Sequence, residues 1–268
     1  MSEPTSFAPS IRCEIASGIA HLQLDRPEAG NTFTPELLSE LSETTQRLAT
    51  DQSVRAVVLR GSGKNFCFGA SIDMFLGVAT ERRPALLRDL VTRFHHAVSR
   101  LSRLEVPVLG VAHGMAVGGG LALLAACDVV LAAESTRFRM GWSGIGITMD
   151  GATTWTLPRI IGPNRTRELI FTNRVFGAAE AQAWGLVNWI APDADLDRRA
   201  ADLAAELARG PTRALGVCKR LVMEGASDSF ETHMEREAMA LVEAVGSADA
   251  DEGFRAFREK RSPRFTGQ

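Results

Sequence analysis

VPVLGVAHGMAVGGGLALLAACDVVLAA, residues 106–133, opens on a β-branched run at 106–111 and turns at His113 and Gly114. It then passes three consecutive glycines, Gly118, Gly119 and Gly120, and continues as an Ala/Leu-rich segment closed by Asp128. That order predicts a buried strand, a glycine turn and a buried helix that starts at the turn. The first N–H groups of a helix have no intrahelical partner, and glycine, lacking Cβ, lets a ligand oxygen come close to them. The stretch is therefore suited to an anion or a developing oxyanion. From the glycines alone, tight packing of a helix on a sheet is the competing reading. A membrane span is disfavoured, because Pro107, five glycines and His113 interrupt the apolar run.

With 268 residues, 45% of them hydrophobic, the chain can build one large domain or one domain with an appendage. A formal charge of −2 supplies no general attraction to nucleic acid or anionic lipid. The four cysteines, Cys13, Cys67, Cys127 and Cys218, lie far apart with no CxxC pair. Neither a zinc site nor a disulfide framework follows; reduced thiols in a cytoplasmic protein are expected. The N-terminal MSEPTSFAPS has no basic start followed by an apolar core, so no signal peptide is expected. Tyrosine is absent, which leaves Asp, Glu, His, Lys or Cys as the general acid of any reaction.

Outward from the glycine stretch, two short apolar runs at 11–15 and 19–24 flank Ser17-Gly18, a hairpin signal. Thr34-Pro35-Glu36 reads as N-cap, first-position proline and first-turn acid of a helix with Leu37, Leu38, Leu41 and Leu48 inward. Between them, DRPEAGN carries Arg26, either a phosphate contact or a solvated surface arginine. A buried strand at 54–59 leads into GSGKNFCFGASIDMF, where Phe66 and Phe68 cover the core or the Gly69-Ala70 backbone faces a ligand. Residues 84–104 keep helical spacing; His95 flanks the apolar stripe, whereas His96 falls among polar residues. His95 is thus either structural or within reach of a pocket. In FRMGWSGIGITMDGATTWTLPRIIG, residues 138–162, a glycine-spaced loop with Trp142 and Asp150 ends in a helix before Pro158. Apolar neighbours would raise the Asp150 pKa and suit it to proton transfer; capping of the following helix is the alternative. From residue 178 the pattern is helical, with no strand run beyond 187–191.

Together DRPEAGN, FCFGASID, GMAVGGGLALLAACD, FRMGWSGIGITMDGATTWTLPRIIG, AAEAQAWGLVNWI and EGFRAFREKRSPRF resemble, in order, the enoyl-CoA hydratase/isomerase (crotonase) superfamily. The resemblance implies an α/β fold: a crotonase-like spiral of ββα units at 1–194 and a helical C-terminal trimerisation region at 195–268. It also implies an acyl-CoA thioester substrate, homotrimers or dimers of trimers, no permanently bound cofactor or metal, and neither nucleic acid nor membrane as partner. By motif position, the backbone N–H groups of Ala70 and Gly119 match the oxyanion hole for the thioester carbonyl. Loss of one such donor costs about 3 to 4 kcal/mol in the transition state. Arg26, Phe68 and Ile72 match CoA-binding positions, and Phe257 and Lys260 match the pair that reaches CoA on an adjacent subunit. The usual Gly-Ala-Asp of the first turn is Gly69-Ala70-Ser71 here, which leaves a backbone role intact.

The two glutamates with which hydratases activate water fall at Ala122 and Trp142, neither of which takes a proton. Hydration by the usual mechanism is therefore not expected. GITMDGATTWTLPR resembles the segment in which isomerases of ring-derived CoA thioesters carry their catalytic acid, at Asp150. The implied reaction is a 1,3-proton shift, preferred here as the broader class. The 4-chlorobenzoyl-CoA dehalogenases are also similar: an Asp at this position, a Trp eight residues earlier and a His on the preceding helix correspond to Asp150, Trp142 and His95. In that chemistry Asp150 is a nucleophile, Trp142 donates its indole N–H to it, and His95 activates water. A relative that keeps the scaffold and only binds CoA esters or RNA is a third reading, opposed by the lack of a dense basic and aromatic stripe.

Overall fold

The computed structural model describes residues 9–268; residues 1–8, most of the segment read for a signal peptide, lie outside them. Strands β1 (Ile11–Ala16) and β2 (Ile19–Leu24) form an antiparallel hairpin whose turn residues Ser17 and Gly18 both have positive φ. That handedness matches the twist of the strands it joins. Thr34 accepts a hydrogen bond from the Leu37 N–H at 3.3 Å and opens α1 (Pro35–Thr50), which buries Leu37, Leu38, Leu41 and Leu48 as its spacing predicts.

From β3 onward the chain repeats one manoeuvre. Strand β3 (Ala56–Gly61) is followed by a bridge at Cys67 and by helices α2 (Ile72–Leu76) and α3 (Arg83–Arg103). Strand β4 (Val108–Ala112) is followed by β5 (Met115–Val117) and α4 (Gly119–Ala125). Strand β6 (Val129–Ala133) is followed by β7 (Arg137–Arg139), α5 (Thr153–Ile160) and α6 (Pro163–Thr172). Each pass places one strand in a large sheet and one short strand or bridge in a small one, then turns into helix. The chain continues through β8 (Phe176–Gly177), α7 (Ala178–Ala183) and β9 (Trp189–Ala191). It ends in α8 (Leu196–Ala208), α9 (Thr212–Glu224), α10 (Phe230–Val245) and α11 (Ala248–Glu259).

The large sheet has the order β1-β2-β3-β4-β6-β9 and is parallel except for the first pair; β5, β7 and β8 form the small sheet. Successive strand residues point to opposite faces. Val57, Leu59, Val108 and Ala112 therefore share a core with Phe33, Phe94 and α4, while Ala56, Val58, Leu109 and Val111 pack against Leu196, Ala200 and Leu203 of α8. No helix among the described residues is long and apolar enough to cross a membrane.

The structure departs from the sequence reading in three places. Helix α5 does not stop before Pro158 but runs through it to Ile160. The helix gives up the hydrogen bond that residue 158 would have donated to the Thr154 carbonyl, a loss it tolerates because it ends two residues later. Strands β5, β7 and β8, of two or three residues each, were too short to show a period. Helix α6 was not anticipated either; Pro163 at its first turn is its plainest sequence signal.

Candidate active site

Two backbone turns meet on the α4 side of the sheet. The first holds Gly69 (φ +76°) and Ala70; the second holds Gly118 (φ +56°) and Gly119, the first residue of α4. They are zipped together by the Val117 N–H donating to the Cys67 carbonyl at 2.9 Å. A Cβ added to Gly69 would lie 2.8 Å from the Gly119 nitrogen, so side chains are excluded from the junction. Among the described residues, neither the Ala70 nor the Gly119 N–H donates a hydrogen bond. Two neighbouring, unused donors are what a carbonyl oxygen acquiring negative charge requires. Cys67 packs beneath them: its thiol donates to the Asn31 carbonyl at 3.1 Å and accepts from the Gly69 N–H at 3.3 Å. Burial pushes that thiol up to about 12, so it is a packing group and not a nucleophile.

Asp150, His95 and Trp142, from the loop before α5, from α3 and from the turn after β7, converge. His95 Nε2 lies 4.0 Å from Asp150 Oδ2. The Gly151 N–H donates to the same Nε2 at 3.3 Å, which assigns the neutral ring's proton to Nδ1. Burial raises the Asp150 pKa above its ordinary value; the nearby His95 and the donating Trp142 side chain pull it back. Asp150 does not cap α5 with its side chain: the N-cap is Ala152, in the left-handed region. Trp142 is 8% exposed, and a Cβ on Gly118 would lie 3.9 Å from its Cε2, so the indole spans from the glycine turn to the carboxylate. Asn173, which caps the C-terminus of α6, fixes the Trp142 turn by accepting from the Gly141 N–H at 2.8 Å.

The family model for enoyl-CoA hydratase/isomerase matches residues 14–268. The chain belongs to the enoyl-CoA hydratase/isomerase family. It is 36% identical over 251 residues to a 4-chlorobenzoyl coenzyme A dehalogenase of Arthrobacter sp, covering 93% of this chain and 91% of that one. It is 33% identical to the 1,2-epoxyphenylacetyl-CoA isomerase of Escherichia coli K12, covering 96% and 98%. The crystal structure of an enoyl-CoA hydratase from Bacillus anthracis superposes with a TM-score of 0.90 at 30% identity, covering 97% of this chain and 100% of that one.

Within this enoyl-CoA hydratase/isomerase fold, the two positions matched to hydratase glutamates are apolar and buried. Ala122 faces Gly151 (φ +62°): a Cβ on Gly151 would lie 3.0 Å from the Ala122 Cβ and 2.5 Å from Cε1 of Phe94. Phe94 packs against Phe33 in a tilted pair, ring centroids 4.8 Å apart. The turn that carries Asp150 thus occupies the space above residue 122. Gly151, Phe94 and Asn173 were not picked out from the sequence as site residues; glycine directly after the acid in MDGATT was the available sign.

The residues matched to CoA binding divide into two groups. Arg26 and Phe68 border the same turn: the Phe68 N–H donates to the Gly30 carbonyl at 3.1 Å, and the Phe68 ring packs against Gly30. Buried Asn31 clamps this region, its Oδ1 accepting from the Arg26 N–H at 2.9 Å while its amide donates to the carbonyls of Ser62, Asn65 and Phe66. Ile72 opens α2 beyond Ala70 and is half-exposed. Phe257, 88% exposed, and Lys260, which ends α11 in the left-handed region, are neither hydrogen-bonded nor stacked to that group among the described residues.

Proposed function

We propose that this enzyme hydrolytically replaces a leaving group on the ring of an aroyl-CoA thioester, as the 4-chlorobenzoyl-CoA dehalogenase relatives are named for doing. The observation that carries the reading is the convergence of His95 and Trp142 on Asp150. A proton shift needs the carboxylate alone and leaves both partners without a task. This reverses the order preferred from the motifs.

The thioester carbonyl accepts from the Ala70 and Gly119 N–H groups, drawing electron density out of the ring. An Asp150 oxygen attacks the ring carbon that bears the leaving group, and the added negative charge rests on the carbonyl oxygen. Halide departs, leaving an aryl ester of Asp150. His95 exchanges its Gly151 N–H contact for a water, takes the water's proton at Nε2, and hydroxide attacks the Asp150 carbonyl carbon. The ester bond to the Asp150 carbonyl breaks, the aryl oxygen takes the proton from His95 to give hydroxyaroyl-CoA, and the Asp150 carboxylic acid loses its remaining proton to solvent. Arg26 and Phe68 hold the CoA end, with Phe257 and Lys260 supplied by an adjacent subunit of a homotrimer or dimer of trimers.

The test is mass spectrometry of products from 4-halobenzoyl-, 2-enoyl- and 3-enoyl-CoA esters. Exchange of halogen for hydroxyl is expected. In a single turnover in 18O-water the product is unlabelled and the label enters Asp150, because the product oxygen comes from the carboxylate. An isomer of unchanged mass would replace this reading with the proton shift, which the raised Asp150 pKa favours as an acid/base. Gain of one water would overturn both.

A further inference from the structure

Asn173 ends α6 in the left-handed region, at φ +48°, with its N–H donating to the Leu169 carbonyl at 3.0 Å. Glycine meets that backbone requirement at the least cost, and asparagine is the usual alternative that carries a side chain. Here the side chain is buried and turned to a second task. Its Oδ1 accepts from the Gly141 N–H at 2.8 Å, directly before Trp142, and its amide nitrogen fills the space beside Gly144, where an added Cβ would lie 2.1 Å from Nδ2. Two further bonds join the same segments: Arg139 Nε donates to the Asn173 carbonyl at 2.9 Å, and Ser143 Oγ donates to the Ile170 carbonyl at 2.6 Å. The end of α6 thus grips the chain on both sides of Trp142.

The gripped turn also abuts the oxyanion turn. The Gly118 N–H donates to the Arg139 carbonyl at 3.2 Å, and a Cβ on Gly141 would lie 2.9 Å from Val117 Cγ1. From this seat the indole runs past Gly118 to donate to the Asp150 carboxylate. A hydrogen bond to a charged group is strong only while distance and angle are kept, so its worth depends on how firmly the donor's backbone is held. Residue 173 therefore has two separable roles. Glycine there would keep the helix end and lose the anchor, whereas aspartate would keep both, its added charge lying beside Arg139, whose Nη2 would be 3.7 Å from a Cβ on Gly144.

We propose that Asn173 is a positioning residue: by fixing the Gly141 N–H it holds the Trp142 indole on Asp150, and so sets how fast that carboxylate attacks. The inference rests on the role proposed above for Trp142. The test is NMR of the indole N–H groups in full-length protein labelled with 15N-tryptophan and free of substrate, the Trp142 resonance being identified by its loss in Trp142→Phe. Bonding to a carboxylate moves that proton downfield. In Asn173→Gly the resonance is expected to shift upfield or broaden, and in Asn173→Asp to return to its wild-type position. With 4-halobenzoyl-CoA, Asn173→Gly is expected to form the aryl ester about tenfold more slowly at unchanged KM, Asn173→Asp to recover the rate, and Asn173→Gly to cost nothing more once Trp142 is phenylalanine. An unmoved resonance in Asn173→Gly, no recovery in Asn173→Asp, or a loss of rate that adds to that of Trp142→Phe would overturn the proposal. Because the resonance is read without substrate, it decides the positioning role even where 4-halobenzoyl-CoA is not turned over, a result that would sink only the reaction assigned above.

Discussion

Asp150 is held at a cost that its neighbours only partly offset. Its folded pKa is raised above the ordinary 3.8 by burial. Below 3.8 both folded and unfolded chains hold the proton and no penalty exists; as pH rises past it the unfolded chain ionises first, and the native state loses stability until its own pKa is passed. Asp150→Asn is therefore expected to abolish turnover and yet to melt higher at neutral pH, by about 2–4 °C for each kcal/mol recovered. The gain should vanish in acid, and calorimetry across pH checks it; calorimetric titration should find CoA-ester affinity within a few-fold of wild type. The acid limb of kcat/KM is expected above that of an exposed aspartate, because the attacking carboxylate must be ionised. His95→Gln is expected to form the aryl ester at a near-normal rate and to hydrolyse it slowly, read as accumulated mass on the intact protein. Ala122→Glu restores one hydratase glutamate in name only. Gly151 and Phe94 already fill the space above residue 122, so the variant is expected to melt lower and to add no water to an enoyl-CoA.

At the scale of elements, the proposed oxyanion site is a junction of two turns whose backbones approach too closely for any side chain. Gly69→Ala puts a methyl into the Gly119 nitrogen and forces an unfavourable φ, so a loss of about 10²- to 10³-fold in kcat is expected from steady-state kinetics. Both turns were legible in the sequence, because glycine runs between a β-branched strand and an Ala/Leu helix leave few alternatives. So was α1, announced by Thr34-Pro35. The strands of the small sheet were not, since their pairing partners lie on successive turns of the spiral and two or three residues carry no period. Asp150 and His95 stood out singly from their neighbours; that they face each other was implied only by the family resemblance. The Ala122–Gly151–Phe94 packing lay beyond reach, being a contact among three separated segments.

At the scale of the whole molecule, α10 buries none of its residues in the single chain, and it displays Phe230, Met234, Leu241, Val242 and Val245 to solvent. An apolar face of that extent marks an interaction surface, and the homotrimer or dimer of trimers proposed above would cover it. Light scattering is expected to find trimers or hexamers, and Val242→Glu to yield smaller species with a raised KM for CoA esters, because Phe257 and Lys260 then serve no neighbour. The Asn31 clamp has its own effect at this scale. One carboxamide ties the segment bearing Arg26 to the Phe66 carbonyl just before the Gly69-Ala70 turn, so under the proposed function it holds constant the span between the phosphate end and the carbonyl end of a bound thioester. The protein is in that sense a fixed gauge: a substrate arm one methylene too long would still be gripped, but its carbonyl would come to rest past the two waiting amides.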